Sequence, residues 1–148
     1  MKYLVILGIA IISLILGILL GSIPVVSSEP FEPQNRLSQD NIVVYKTHAT
    51  IKSENLRWAI IADTGSMKPT LTANTHVLQV VPQKPNDLAV GDIITYTYNN
   101  RHIIHRIIEI NHDSYGWYAI TKGDNNQSPD PEKVRFNQID RVVVGILY

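Results

Sequence analysis

The chain has 148 residues, enough for one compact domain and too few for two. Its 13 basic and 13 acidic residues cancel, which argues against the basic face that a nucleic-acid binder needs. It has no cysteine, so disulfides, zinc–thiolate sites and thiol catalysis are excluded.

From Tyr3 to Val26 there is no charged residue. As a helix, the stretch from Tyr3 to Leu20 would extend about 27 Å and the whole run about 36 Å, enough to cross the hydrocarbon core of a bilayer with some tilt. The alternative is a cleaved secretory signal, whose apolar core spans about 7–15 residues before a small-x-small cleavage site. This run is longer, and only Gly-Ser and Ser-Ser pairs near its end supply small residues. The expectation is therefore a membrane anchor over residues 1–26. Lys2 precedes its uncharged run, while Glu29 and Glu32 are the first charges after it. The positive-inside tendency then leaves the amino terminus in the cytoplasm and the rest of the chain outside.

Residues 27–41 contain Pro30 and Pro33 among serines and other polar residues and read as an extended tether. Residues 42–148 then read as a mostly β domain. The runs Asn41–Lys46, Arg57–Ala62, His76–Val81, Asp92–Tyr98, Arg101–Ile110, Tyr115–Lys122 and Arg141–Tyr148 are short, rich in β-branched and aromatic residues, and separated by turn signals. Asn99-Asn100 between two of them predicts a tight hairpin, because asparagine tolerates the left-handed conformation. The one helical candidate, Pro129–Gln138, is short and weakly patterned.

Three stretches could carry chemistry. Thr64-Gly65-Ser66-Met67-Lys68-Pro69-Thr70 follows an apolar strand and could project the Ser66 hydroxyl from its end, with nearby backbone N–H groups facing an oxyanion. By composition alone it reads as an ordinary polar loop. Ile103-Ile104-His105-Arg106-Ile107 places His105 on the face of Ile103 and Ile107; a histidine there is a base or simply a satisfied, partly buried side chain. His102 and His105 are three apart, which on a strand sends them to opposite faces and argues against a metal site. Thr121 to Asp130 carries two carboxylates, Asp124 and Asp130, around a Gly-Asp-Asn-Asn turn; aspartates in such turns commonly cap backbone N–H groups. Asn126-Gln127-Ser128 is a formal glycosylation acceptor weakened by Pro129.

In order and spacing these boxes, TGSMKPT (64–70), GDIITY (91–96), IIHRII (103–108) and TKGDNNQSPD (121–130), resemble the signal peptidase I family, specifically its archaeal and endoplasmic-reticulum branch. The resemblance covers nearly the whole chain. It implies a coiled, β-barrel-like peptidase domain behind one transmembrane helix, and a single-pass member. It also implies that Ser66 is the nucleophile, His105 the base, Asp130 the third catalytic member and Asp124 a supporting carboxylate. The oxyanion hole would be the Ser66 N–H with the Thr64 hydroxyl, where the family motif usually has serine. No cofactor and no metal are implied. The implied partners are preproteins with signal peptides cut after small-x-small residues, the lipid bilayer and the protein-export translocon; the implied location is the cell membrane, or that of the endoplasmic reticulum in a eukaryote. Pocket walls could come from Trp58–Ile61 and His76–Val81, and His76 or Lys122 could assist the site. Two rival readings remain: a peptidase of the same fold dedicated to one pilus or surface precursor, and a catalytically silent membrane-tethered binding module.

Histidine in its ordinary state titrates near pH 6.5, which suits it to accept the proton of a serine that is a poor nucleophile at neutral pH. Activity should therefore fall below about pH 6, measured as a pH–rate profile on a peptide substrate. Full activity at pH 4.5 would remove the histidine base.

Overall fold

Among the described residues, the β-branched and aromatic runs pair with one another in antiparallel ladders. The structure, a computed structural model, describes residues 32–148. The expected anchor over 1–26 and the first part of the tether lie outside the described residues, among which no helix is long and apolar enough to cross a membrane.

The strands are β1 (Ile42–Val44), β2 (Ala49–Ile51), β3 (Arg57–Ile60), β4 (His76–Val80), β5 (Ile93–Tyr98), β6 (Arg101–Asp113), β7 (Gly116–Lys122), β8 (Val134–Arg135) and β9 (Ile139–Leu147). β1 and β2 form a separate hairpin; the other seven make one antiparallel sheet in the order β3-β4-β9-β5-β6-β7-β8. Each expected run contains a strand. The Asn99-Asn100 turn joins β5 to β6 with both residues at positive φ, 48° and 59°, the geometry of a type I′ hairpin.

β2 and β8 were not expected. β8 also overturns the helical candidate Pro129–Gln138: Val134 and Arg135 pair with Ala119 and Tyr118 of β7, and only a 3-10 turn, Phe136–Gln138, follows. Pro129 and Pro131 withhold backbone donors from any helix there. Val134 instead buries its side chain against the sheet, and that burial outweighs a weak local preference.

Period-two alternation divides the apolar residues between two clusters. Ile94, Tyr96, Ile107, Ala119, Val134 and Val142 pack in one, and Ile93, Val143, Val77, Met67 and Leu71 in the other. Sequence neighbours Ile93 and Ile94, and again Val142 and Val143, thus serve opposite faces. Register irregularities at Leu78/Gln79, Thr95/Tyr96 and Ile107/Glu109 bend the strands. The bend has a visible consequence. β3 and β6 stand four places apart in the sheet, about 19 Å if it were flat, yet both line one cleft.

Ile107 is fully buried in the first cluster, two residues from His105. Ile107→Ala should lower the unfolding free energy by about 2–5 kcal/mol in urea denaturation. A loss below about 0.5 kcal/mol would mean that this cluster is not the core of the domain.

Candidate active site

The turn that carries Ser66 is fixed by what surrounds it. Gly65 takes φ +74°, a left-handed conformation that a β-carbon would strain. On the other side, Met67 and Leu71 are almost fully buried and plug into the second cluster, each contributing roughly 1.5–3 kcal/mol of burial. Leu71 N–H donates to the Met67 carbonyl at 2.8 Å, closing the turn. Ser66 therefore sits on a loop pinned to the core.

The Ser66 hydroxyl lies 3.2 Å from His105 Nε2, and His105 Nδ1 lies 2.7 Å from Asp130 Oδ2. The imidazole is mostly buried; its side chain is 11% exposed and that of Asp130 16%. With Asp130 ionised, Nδ1 carries the proton and donates to it, which leaves Nε2 as an acceptor for the Ser66 O–H. Asp130 Oδ2 also accepts from the Thr121 hydroxyl at 2.6 Å and from the Tyr96 hydroxyl at 3.0 Å. Burial would raise the Asp130 pKa, but the donors His105, Thr121 and Tyr96 outweigh it and hold the carboxyl below its ordinary value. Burial pushes the Tyr96 phenol far up, so it remains protonated and able to donate.

Thr64 Oγ1 stands 3.2 Å from Ser66 Oγ. Among the described residues nothing accepts from the Ser66 backbone N–H, which leaves that donor available beside the Thr64 hydroxyl. Two donors next to a serine with a base partner can stabilise a developing oxyanion.

Asp124 does not touch His105. It receives Arg106 in a bidentate pair, Nε to Oδ1 at 2.8 Å and Nη2 to Oδ2 at 2.7 Å, and the Thr70 hydroxyl at 2.5 Å. Its carboxyl is again held below the ordinary value, because Arg106 and Thr70 outweigh the burial that would raise it. The same loop grips the Ser66 backbone. Asn125 N–H donates to the Ser66 carbonyl at 2.8 Å, and Asn125 Nδ2 to the Gly65 carbonyl at 3.1 Å. A β-carbon on Gly123 would sit 2.6 Å from the Ser66 carbonyl oxygen, so only glycine allows this approach.

All five expected site residues thus lie together, with Asp124 one step removed. Sequence reasoning missed Thr121 and Tyr96 as donors to Asp130, and Thr70, Arg106, Asn125 and Gly123 as supports. Each lies inside a quoted motif, but only strand register shows that Tyr96, His105 and Thr121 share a face. His102 is exposed and bonds Thr97 and Asp140 rather than His105, although both histidines border the cleft beside Ser66. His76 is elsewhere, accepting from the Trp58 indole at 3.0 Å. Lys122 lines a separate hollow beside Asp124 and Arg106.

Beside Ser66 and His105 opens a cleft of about 490 Å³ whose apolar walls include Ala59, Ile61, Ile103 and Ile104, with Gln79 and Thr95 also contributing. Of the expected wall segments, Trp58–Ile61 supplies Ala59, Ile60 and Ile61, and His76–Val81 supplies Gln79.

No protein-family model matches this chain, and no curated protein matches it either.

The two carboxylates have different partners, His105 for Asp130 and Arg106 for Asp124. Asp130→Asn should cut the turnover of a Ser66-dependent reaction by roughly 10³–10⁴-fold, because an amide cannot stabilise the imidazolium or hold its tautomer. Asp124→Asn should act mainly on stability, lowering the denaturation midpoint with a smaller effect on rate. Equal rate losses in both variants, measured on folded protein, would refute this division.

Proposed function

We propose that the protein is a membrane-anchored serine endopeptidase of the signal peptidase I type, cutting signal peptides from exported preproteins after small-x-small residues. The observation that carries the reading is the continuous line of bonds from Ser66 Oγ through His105 to Asp130, at 3.2 and 2.7 Å. On this reading the curled sheet is the β-barrel-like peptidase domain, residues 1–26 hold it to the cell membrane, and the domain faces away from the cytoplasm.

The chemistry follows from the geometry. His105 Nε2 takes the Ser66 proton as Oγ attacks the scissile carbonyl carbon. The Ser66 N–H and the Thr64 hydroxyl receive the oxyanion. His105 then passes the proton to the leaving amine, and water, deprotonated by the same imidazole, releases the acyl group from Ser66. Asp130 remains a carboxylate throughout and balances the imidazolium.

The cleft supports an extended substrate. β3 is an edge strand of the sheet, so one side of its backbone is free to pair with a peptide lying along Ala59–Ile61. Its alternate side chains would meet walls of alanine and isoleucine, which favour small apolar groups.

Wild type and Ser66→Ala, solubilised in detergent, should be compared on a preprotein with an Ala-x-Ala site, mapping the new amino terminus. Cleavage after the small residue by wild type, lost in Ser66→Ala, is the expected result. Equal cleavage by both would remove Ser66 as nucleophile; cleavage of one pilus or surface precursor alone would point to a dedicated peptidase.

A further inference from the structure

The second half of the tether is locked to the domain at a buried charge. Asp92, just before β5, is fully buried. Its carboxylate accepts the Ala89 N–H at 2.8 Å from its own turn, and its other bonds come from the tether. Gln34 N–H donates to Oδ1 at 3.0 Å, and the Arg36 guanidinium forms an ion pair with Oδ2. Arg36 Nη1 also donates to Gln34 Oε1 at 3.0 Å, so the two tether residues brace each other. The Arg36 side chain is 12% exposed although it belongs to a segment with no strand or helix. The anchorage reaches the catalytic strand directly. Ile107 N–H donates to the Asp92 carbonyl and Gly91 N–H to the Ile107 carbonyl, both at 2.8 Å, two residues beyond His105.

An unattached polar linker leaves its arginines in water, and a buried carboxylate could be satisfied by neighbours in its own turn. Here the partner is drawn from 56 residues earlier in the chain. The mechanical consequence is a change of length. From Val26 to Gln34 the chain reaches at most about 28 Å, whereas a tether free as far as Ile42 would reach about 55 Å.

We propose that the Arg36–Asp92 pair is a clamp that shortens the working tether and so fixes how far from the membrane the Ser66 site operates, making Arg36 and Gln34 positioning residues for substrates that are themselves membrane-bound. This rests on residues 1–26 being an anchor and on the peptidase reading. A short tether confines the site to a shell near the bilayer, where effective concentration is high for bonds at that height and low for bonds beyond it.

The test uses full-length protein in liposomes, with preproteins whose cleavage site is displaced stepwise from the apolar segment of the signal. A Gly/Ser insertion of about six residues between Glu32 and Pro33 lies before the clamp and should raise cleavage at the most distant sites roughly threefold or more. The same insertion between Leu37 and Ser38 lies behind the clamp and should leave the profile unchanged until Arg36→Ala is added. If the two insertions act alike, or neither changes the profile, the clamp does not set the reach. Cleavage of a short soluble peptide should be the same in every variant, and its loss in Arg36→Ala would make the pair a structural support instead. Should wild type cleave no preprotein, the peptidase reading fails alone, and the clamp is read by a nitroxide on Asn35→Cys in this cysteine-free chain. An immobilised spectrum that sharpens with Arg36→Ala is expected; a mobile label in the otherwise unchanged protein would overturn the clamp.

Discussion

Tyr96, His105 and Thr121 come from β5, β6 and β7, three adjacent strands, and converge on a single oxygen of Asp130. They can do so because His105 is opposite Ile94, Tyr96 opposite Ile103 and Thr121 opposite Ile107, which places all of them on one face. A slip of one residue in β6 would turn the imidazole to the other side of the sheet and leave the carboxylate half-buried without its strongest partner. Burial of apolar groups resists that slip, since Ile94, Tyr96 and Ile107 belong to the same packed cluster. The ionised state of Asp130 and the tautomer of His105 therefore depend on the register of the core.

The next residue along β6 serves the opposite face. Arg106 reaches Asp124 with two nitrogens and the Gly91 carbonyl with a third, at 2.7 Å, tying the loop after β7 to the start of β5. One loop thus straddles a strand, with Asp124 held on one side and Asp130 on the other, while Asn125 and Gly123 press on the Ser66 backbone between them. Both carboxyls are held below the ordinary value of 3.8, so the folded state binds fewer protons there than the unfolded chain. Their contribution to stability is complete above that value and is lost as pH falls through the lower, folded values. The interactions that keep Asp130 charged also hold the loop in place.

Alternation and turn chemistry made the strands legible one by one, because a half-buried strand needs period two and a two-residue hairpin needs left-handed residues such as Asn99 and Asn100. Ser66, His105, Asp130, Asp124 and Thr64 were legible through the order of their motifs. β2 and β8 were not: each is only two or three residues long, and β8 exists because β7 offers it a partner. The supports Thr121, Tyr96, Arg106 and Thr70 were written in the same motifs without any local sign of their roles. The clamp at Asp92 was equally hidden, since nothing within a few residues of Arg36 calls for a buried carboxylate. What the sequence determined by itself was the alphabet of strands, the chemical types at the site and the apolar run at the start. Only the tertiary structure decided which side chains meet, because register, sheet curvature and long-range ion pairs are properties of strands packed together.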